Sequence, residues 1–111
     1  MPRAGSVAEQ RAVWWYRLRG YRVLERNVWT GPYELDIVVR RGQRLVFCEV
    51  KEKTGERFGD PLEMVGAEKQ RRLRRAAEIW LARHPEARGL RISFDVVAVR
   101  GGRLERVAEA F

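Results

Sequence analysis

The stretch "ELDIVVRRGQRLVFCEVKEK", residues 34–53, decides the fold. Its two halves, 34–41 and 44–53, are rich in β-forming residues and meet around Gly42, the pattern of a β-hairpin. Alternate residues of a strand face the same way, so Glu49 and Lys51 project together while Cys48 and Val50 face oppositely. An antiparallel hairpin turning near Gly42 sets Asp36 roughly opposite residues 48 and 49. Two carboxylates and one lysine therefore converge within an otherwise apolar segment.

The remaining elements follow outward from this hairpin. Before it, "YRVLERNVW" (21–29) reads as a strand broken by "TGP" (30–32), and Ser6 to Arg19 reads as a helix. In that helix Ala8, Ala12, Trp15 and Leu18 recur at helical spacing, and Gly20 suits the stop. After the hairpin comes a polar loop, "TGERFGD" (54–60). A second helix is expected to open with Asp60 as cap, Pro61 in the first position and Glu63 in the first turn, and to run to about Arg83. "RISFDVVAV" (91–99) is a strand, "RGGR" (100–103) a turn, and "LERVAEAF" a short strand or tail. The order α-β-β-β-α-β-(β) predicts an α/β fold. Its long helix serves as a crossover, which gives a mixed central sheet with a helix on each face.

Bulk properties bound the function. A chain of 111 residues suits a single domain, 1–111, with one core. The net charge of +8 and pI near 10.7 suggest an anionic partner, nucleic acid being the usual one. Arginine richness by itself also fits base composition or thermal adaptation. Of the 23 basic residues only Lys51, Lys53 and Lys69 are lysines, so Lys51 is expected to do something that arginine cannot. Cys48 and His84 are the only cysteine and histidine, which excludes an internal disulfide and a Cys/His zinc site. No segment approaches the roughly 20 apolar residues of a membrane span, and the first residues lack a signal-peptide run. The expectation is a cytoplasmic protein without a membrane partner.

Two close carboxylates repel unless a cation lies between them. Magnesium would suit, since it takes oxygen ligands and shares them among carboxylates, water and substrate phosphate. A neighbouring lysine stabilises charge developing on a phosphate. These are parts for phosphodiester hydrolysis. The same Glu-x-Lys spacing also describes a solvated strand face with a weak ion pair.

Asp36, followed thirteen residues later by Glu49-Val50-Lys51, resembles the PD-(D/E)xK nuclease signature of the restriction-endonuclease-like fold. The likeness extends over nearly the whole chain to the bacterial YraN-like family, through "AEQRA", "GYRVLERN", "GPYELDIV", "LVFCEVK", "RFGDPLEMV", "EKQRRLRRAAEIWL" and "FDVVAV". That family is similar to the archaeal Holliday-junction resolvases, which share the fold and use a glutamate from the first helix. The resemblance implies a three-layer fold and a Mg²⁺- or Mn²⁺-dependent endonuclease acting on DNA, branched DNA included. It makes Asp36 and Glu49 the metal ligands, Lys51 the catalytic lysine, and Glu9 the first-helix glutamate. Leu35 replaces the proline of the nominal signature. "KEK" stands where the family usually has Lys-Thr-Arg, so Glu52 adds a negative charge, expected to face away from Glu49.

Several residues carry a second reading. "SVAE" (6–9) is also a capping box, in which Glu9 would reach back to the backbone of Ser6. Glu34, two residues before Asp36, is either a further acceptor at the site or a surface carboxylate. Lys69 interrupts the apolar row Val65, Leu73, Ala76, Trp80, and either reaches a phosphate at the sheet edge or snorkels. Lys53, Lys69 and Arg72 are the expected nucleic-acid contacts, and Arg71, Arg74 and Arg75 fit either DNA backbone or a solvated face. Trp14, Trp15, Trp29 and Trp80 read as core or homodimer interface rather than base-stacking residues, and Cys48 as buried and inert. Beside the nuclease stand two alternatives: a non-catalytic binder of DNA or RNA that keeps the fold, and an assembly or adaptor role on RNA.

Overall fold

A computed structural model of the chain describes residues 6–53 and 65–111. Its elements are α1 (Val7–Leu18), β1 (Arg22–Thr30), β2 (Tyr33–Arg41), β3 (Arg44–Lys53), α2 (Ala67–Ala82), a 3₁₀ turn at Pro85–Ala87, β4 (Arg91–Arg100) and β5 (Arg103–Val107). The strands form one sheet in the order β1-β2-β3-β4-β5. Neighbours pair antiparallel except β3 and β4, which run parallel. That single parallel pair is what the long connection through α2 requires, because parallel strands cannot be joined by a tight turn.

The β2–β3 hairpin closes on Arg41 opposite Arg44, and its turn begins with Gly42 at φ 59°. A residue with a Cβ rarely adopts that angle, so glycine fixes where the hairpin turns and thereby its register. From there Phe47 lies opposite Val38 and Cys48 opposite Ile37.

Strand periodicity divides the core in two. On β3, Val46 and Cys48 pack with Ala8, Ala12, Val13 and Tyr16 of α1. Leu45 and Phe47 pack with Leu73, Ala76, Ala77 and Trp80 of α2. Each helix therefore covers one face of the sheet, as the element order predicts. A buried polar tie secures α1. The Tyr16 hydroxyl donates to Asp95 Oδ2 at 2.5 Å, and Arg106 Nε donates to the same oxygen at 2.9 Å. The backbone N–H of Glu109 donates to Asp95 Oδ1 at 3.1 Å.

The second helix corrects its expected start. It begins at Ala67 with Gly66 as N-cap, and Val65 is a bend, so the helix is not continuous from Pro61 to Arg83. The expected Asp60 cap, Pro61 and Glu63 lie outside the described residues. The first helix agrees with expectation, with Ser6 at its N-cap. Among the described residues no helix is long and apolar enough to cross a membrane.

Candidate functional site

The sheet forks where the acidic residues lie. The β2–β3 ladder runs from the turn only as far as Ile37 and Cys48. Beyond it, Tyr33–Leu35 stay paired with β1, whereas Glu49–Lys53 stay paired with β4. The Val50 N–H donates to the Asp36 side chain, at 2.9 Å from Oδ2. A carboxylate thus satisfies a backbone donor that the diverging strands leave open.

A cavity of about 230 Å³ occupies this fork, lined by Glu34 and Asp36 of β2, Glu49 and Lys51 of β3, Glu9 of α1 and Lys69 of α2. Because the opening lies between strands, both helices reach it from their own faces. Glu49 is 5 % exposed and holds two ammonium groups: Lys51 Nζ and Lys69 Nζ each lie 3.3 Å from its Oε2. Lys51 sits there by strand alternation and Lys69 by its place in the first turn of α2. Lys69 interrupts the apolar row of α2 because this position meets a buried carboxylate.

Burial and the like charge of Glu49 push the Asp36 carboxyl up to about 7, with smaller contributions from Glu9 and Glu34 and an opposing one from the Val50 N–H. Deprotonating Asp36 thus sets a second charge beside Glu49 in a poorly solvated place. A hard cation or a bound proton relieves that repulsion.

Glu9 is 3 % exposed. Its backbone N–H donates to Ser6 Oγ at 3.2 Å, which is one half of the capping box. Its carboxylate is engaged elsewhere, accepting from Asn27 Nδ2 at 3.0 Å on both oxygens. Capping and cavity lining therefore coexist: the backbone of Glu9 serves the helix end and its side chain faces the fork.

Asn27 is the residue that reading the sequence overlooks. It lies within β1 yet has φ 50°, a left-handed conformation that asparagine tolerates better than most residues. The kink belongs with the contact that orients Glu9. The available signal was an asparagine, a poor strand former, inside an otherwise β-rich run.

The other expected residues distribute as follows. Glu52 is exposed but still borders the cavity, so it does not face wholly away from Glu49, because a fork is lined from both faces of the strand. Arg72 lines a neighbouring cavity and pairs with Glu68 at 3.3 Å. Lys53 ends β3 opposite Arg100. Arg71 and Arg75 make short-range ion pairs along α2, and Arg74 lies over the Phe94 and Phe111 rings. Burial pushes the Cys48 thiol well up, as an inert core cysteine requires.

The core reading of the tryptophans holds only in part. Trp80 is core and Trp15 half-buried, but Trp14 and Trp29 are largely exposed. Helical period puts Trp14 on the side of α1 away from the sheet, and Trp29 stands near the open end of the fork.

As a cation site the cavity offers only oxygen donors, the choice of hard divalent ions over zinc. Among the described residues no three Asp, Glu, His or Cys side chains are gathered closely enough to cage an ion by themselves. Two carboxylates, with the remaining positions left to water and substrate phosphate, are a donor set magnesium commonly uses.

Comparison with known proteins finds relatives of this chain. The sequence profile described as "Uncharacterised protein family UPF0102" matches residues 8–99. A UPF0102 protein of Mycolicibacterium vanbaalenii is 45 % identical over 106 residues, covering 95 % of this chain and 85 % of the relative. One of Frankia casuarinae is 48 % identical over 80 residues, covering 72 % and 67 %. One of Shewanella amazonensis is 41 % identical over 107 residues, covering 96 % and 97 %.

Proposed function

The chain belongs to the UPF0102 family, the family its segments resembled as YraN-like, and from that premise we propose that it is a metal-dependent DNA endonuclease of the restriction-endonuclease-like fold. The observation that carries this reading is the forked sheet. It brings Glu9, Asp36, Glu49, Lys51 and Lys69, drawn from four elements, to one cavity. A solvated strand face would have left Glu49 and Lys51 as an exposed pair, not as a buried carboxylate between two ammonium groups.

In this reading Asp36 and Glu49 hold Mg²⁺ or Mn²⁺, with Glu9 as a further acceptor oriented by Asn27. When bound, the ion supplies Lewis-acid activation and neutralises charge on the scissile phosphate. Lys51 holds a compact positive charge at the cavity, where it stabilises negative charge developing on phosphate oxygens. Lys69 adds a second charge from the opposite wall. The net charge of +8 supplies salt-dependent attraction to the nucleic-acid backbone without reading bases.

Cleavage of duplex, forked, four-way and RNA substrates with Mg²⁺ or Mn²⁺ tests this function. Asp36→Asn, Glu49→Gln and Lys51→Arg should each reduce cleavage by about two orders of magnitude or more, while DNA affinity persists. Lys51→Arg is the sharpest of these, because it keeps the charge and removes the compact amine. One observation favours a second reading, a nucleic-acid-binding protein without the chemistry: both ammonium groups already neutralise Glu49. Tight, salt-sensitive binding with no cleavage by either metal would decide for it.

A further inference from the structure

Beside the carboxylate cavity lies a second one of about 150 Å³, with an aromatic wall and a cationic wall. Trp29, 57 % exposed, and Tyr33 stand on one side, and Lys69 and Arg72 on the other. Glu34 and Lys69 line both cavities, so the two adjoin. We propose that Trp29 is a stacking platform for an unpaired nucleobase, and that the preferred substrate is a strand opened next to the carboxylate cavity. The proposal rests on reading that cavity as a phosphodiester site.

Three observations lead there. First, Trp29 lies opposite Glu34, two residues along β2 from Asp36, a strand distance of about 7 Å. Second, the composition fits a nucleotide better than an apolar partner. A base offers a π-face to indole, and its anionic backbone suits the Lys69 and Arg72 side, whereas a protein partner would call for a broader apolar patch. Third, among the described residues no base-reading element borders the platform, and stacking needs none, because every base presents a π-face. A paired base inside a duplex must first unstack to reach Trp29, which biases binding toward single strands, forks and flaps.

The test uses binding without a divalent cation, so that it stands apart from cleavage. Oligonucleotides carrying 2-aminopurine, single-stranded or in a duplex, are titrated with the whole chain in EDTA while base fluorescence is followed. The wild type should quench the probe in the single strand. Trp29→Ala should remove the quench and weaken single-strand binding about tenfold, with duplex affinity held within about twofold. Trp29→Phe should retain most of both, and thermal melts should show all variants folded. Equal losses for single strand and duplex, or no loss at all, would overturn the proposal. A chain that stacks the probe but never cuts DNA sinks the nuclease reading alone. A chain that cuts DNA while Trp29→Ala binds single strands normally sinks the platform alone.

Discussion

Two aspartates of the sheet, one buried and one half-buried, live under opposite conditions. Asp95, with no exposed surface, receives a hydroxyl, a guanidinium and a backbone N–H from α1, β5 and the segment after it. Asp36, half-buried, accepts the Val50 N–H and, among the described residues, shares a cavity with two buried carboxylates, Glu9 and Glu49. The first has the donors a buried carboxylate needs, and it ties the fold together. The second accepts no cationic donor among the described residues and lines a cavity, which under the proposed function leaves it for a ligand. What separates the two is the set of partners each one has.

The contrast breaks most visibly at Asp95. Asp95→Ala strands the Tyr16 hydroxyl and Arg106 together and should cost about 3–5 kcal/mol in urea unfolding. A loss comparable to an ordinary surface substitution would refute the role of Asp95 as the tie.

Asp36 should act in the opposite sense, through pH. Its folded pKa, about 7, lies above the ordinary 3.8, so folding favours the protonated form. The associated stability is fully present below pH 4 and is lost as pH rises through 7. In chelator, unfolding free energy should therefore fall by about 2–4 kcal/mol from this group between pH 4 and pH 8. Asp36→Asn should flatten that slope and exceed the wild type in stability at pH 8. A wild-type profile unaltered by Asp36→Asn would show that the repulsion is absent.

A finer cut returns to the tie. Tyr16→Phe removes only the hydroxyl donor to Asp95 and should cost about 1.5–3 kcal/mol, the worth of a hydrogen bond to a charged group. Burial first, and then the neighbouring Cys48 and Asp95, push the Tyr16 hydroxyl far above its usual range, so this donor should persist through alkaline pH.

The smallest effect concerns the cation itself. At ten times its dissociation constant, Mg²⁺ should stabilise the wild type at pH 8 by about 1.4 kcal/mol. Glu49→Gln should lose that increment in a thermal melt with and without the ion. Equal stabilisation of both proteins would place the ion elsewhere.

The sequence alone determined the periodic parts. The strands β1 to β4 were legible as β-rich runs set off by glycine-containing breaks, whereas β5 stayed open between a short strand and a tail; Gly42 fixed the register that puts Asp36 beside Glu49. The first helix was legible from its capping serine and its apolar spacing. Pair identity, charge and register are local properties, carried by neighbours a few residues apart. What only the tertiary structure decided was non-local. The fork between β2 and β3 depends on which strands keep their partners, and so does access to the cavity from both faces. The positive φ of Asn27, the amide donor it gives both Glu9 oxygens, the exposure of Trp29 and the pairing of Lys69 with Glu49 all depend on distant segments meeting. Asp95 shows this most plainly, because its strand gave no sign of a buried charge. Its partners Tyr16 and Arg106 lie 79 and 11 residues away, and only packing α1 and β5 against β4 brings their donors to it.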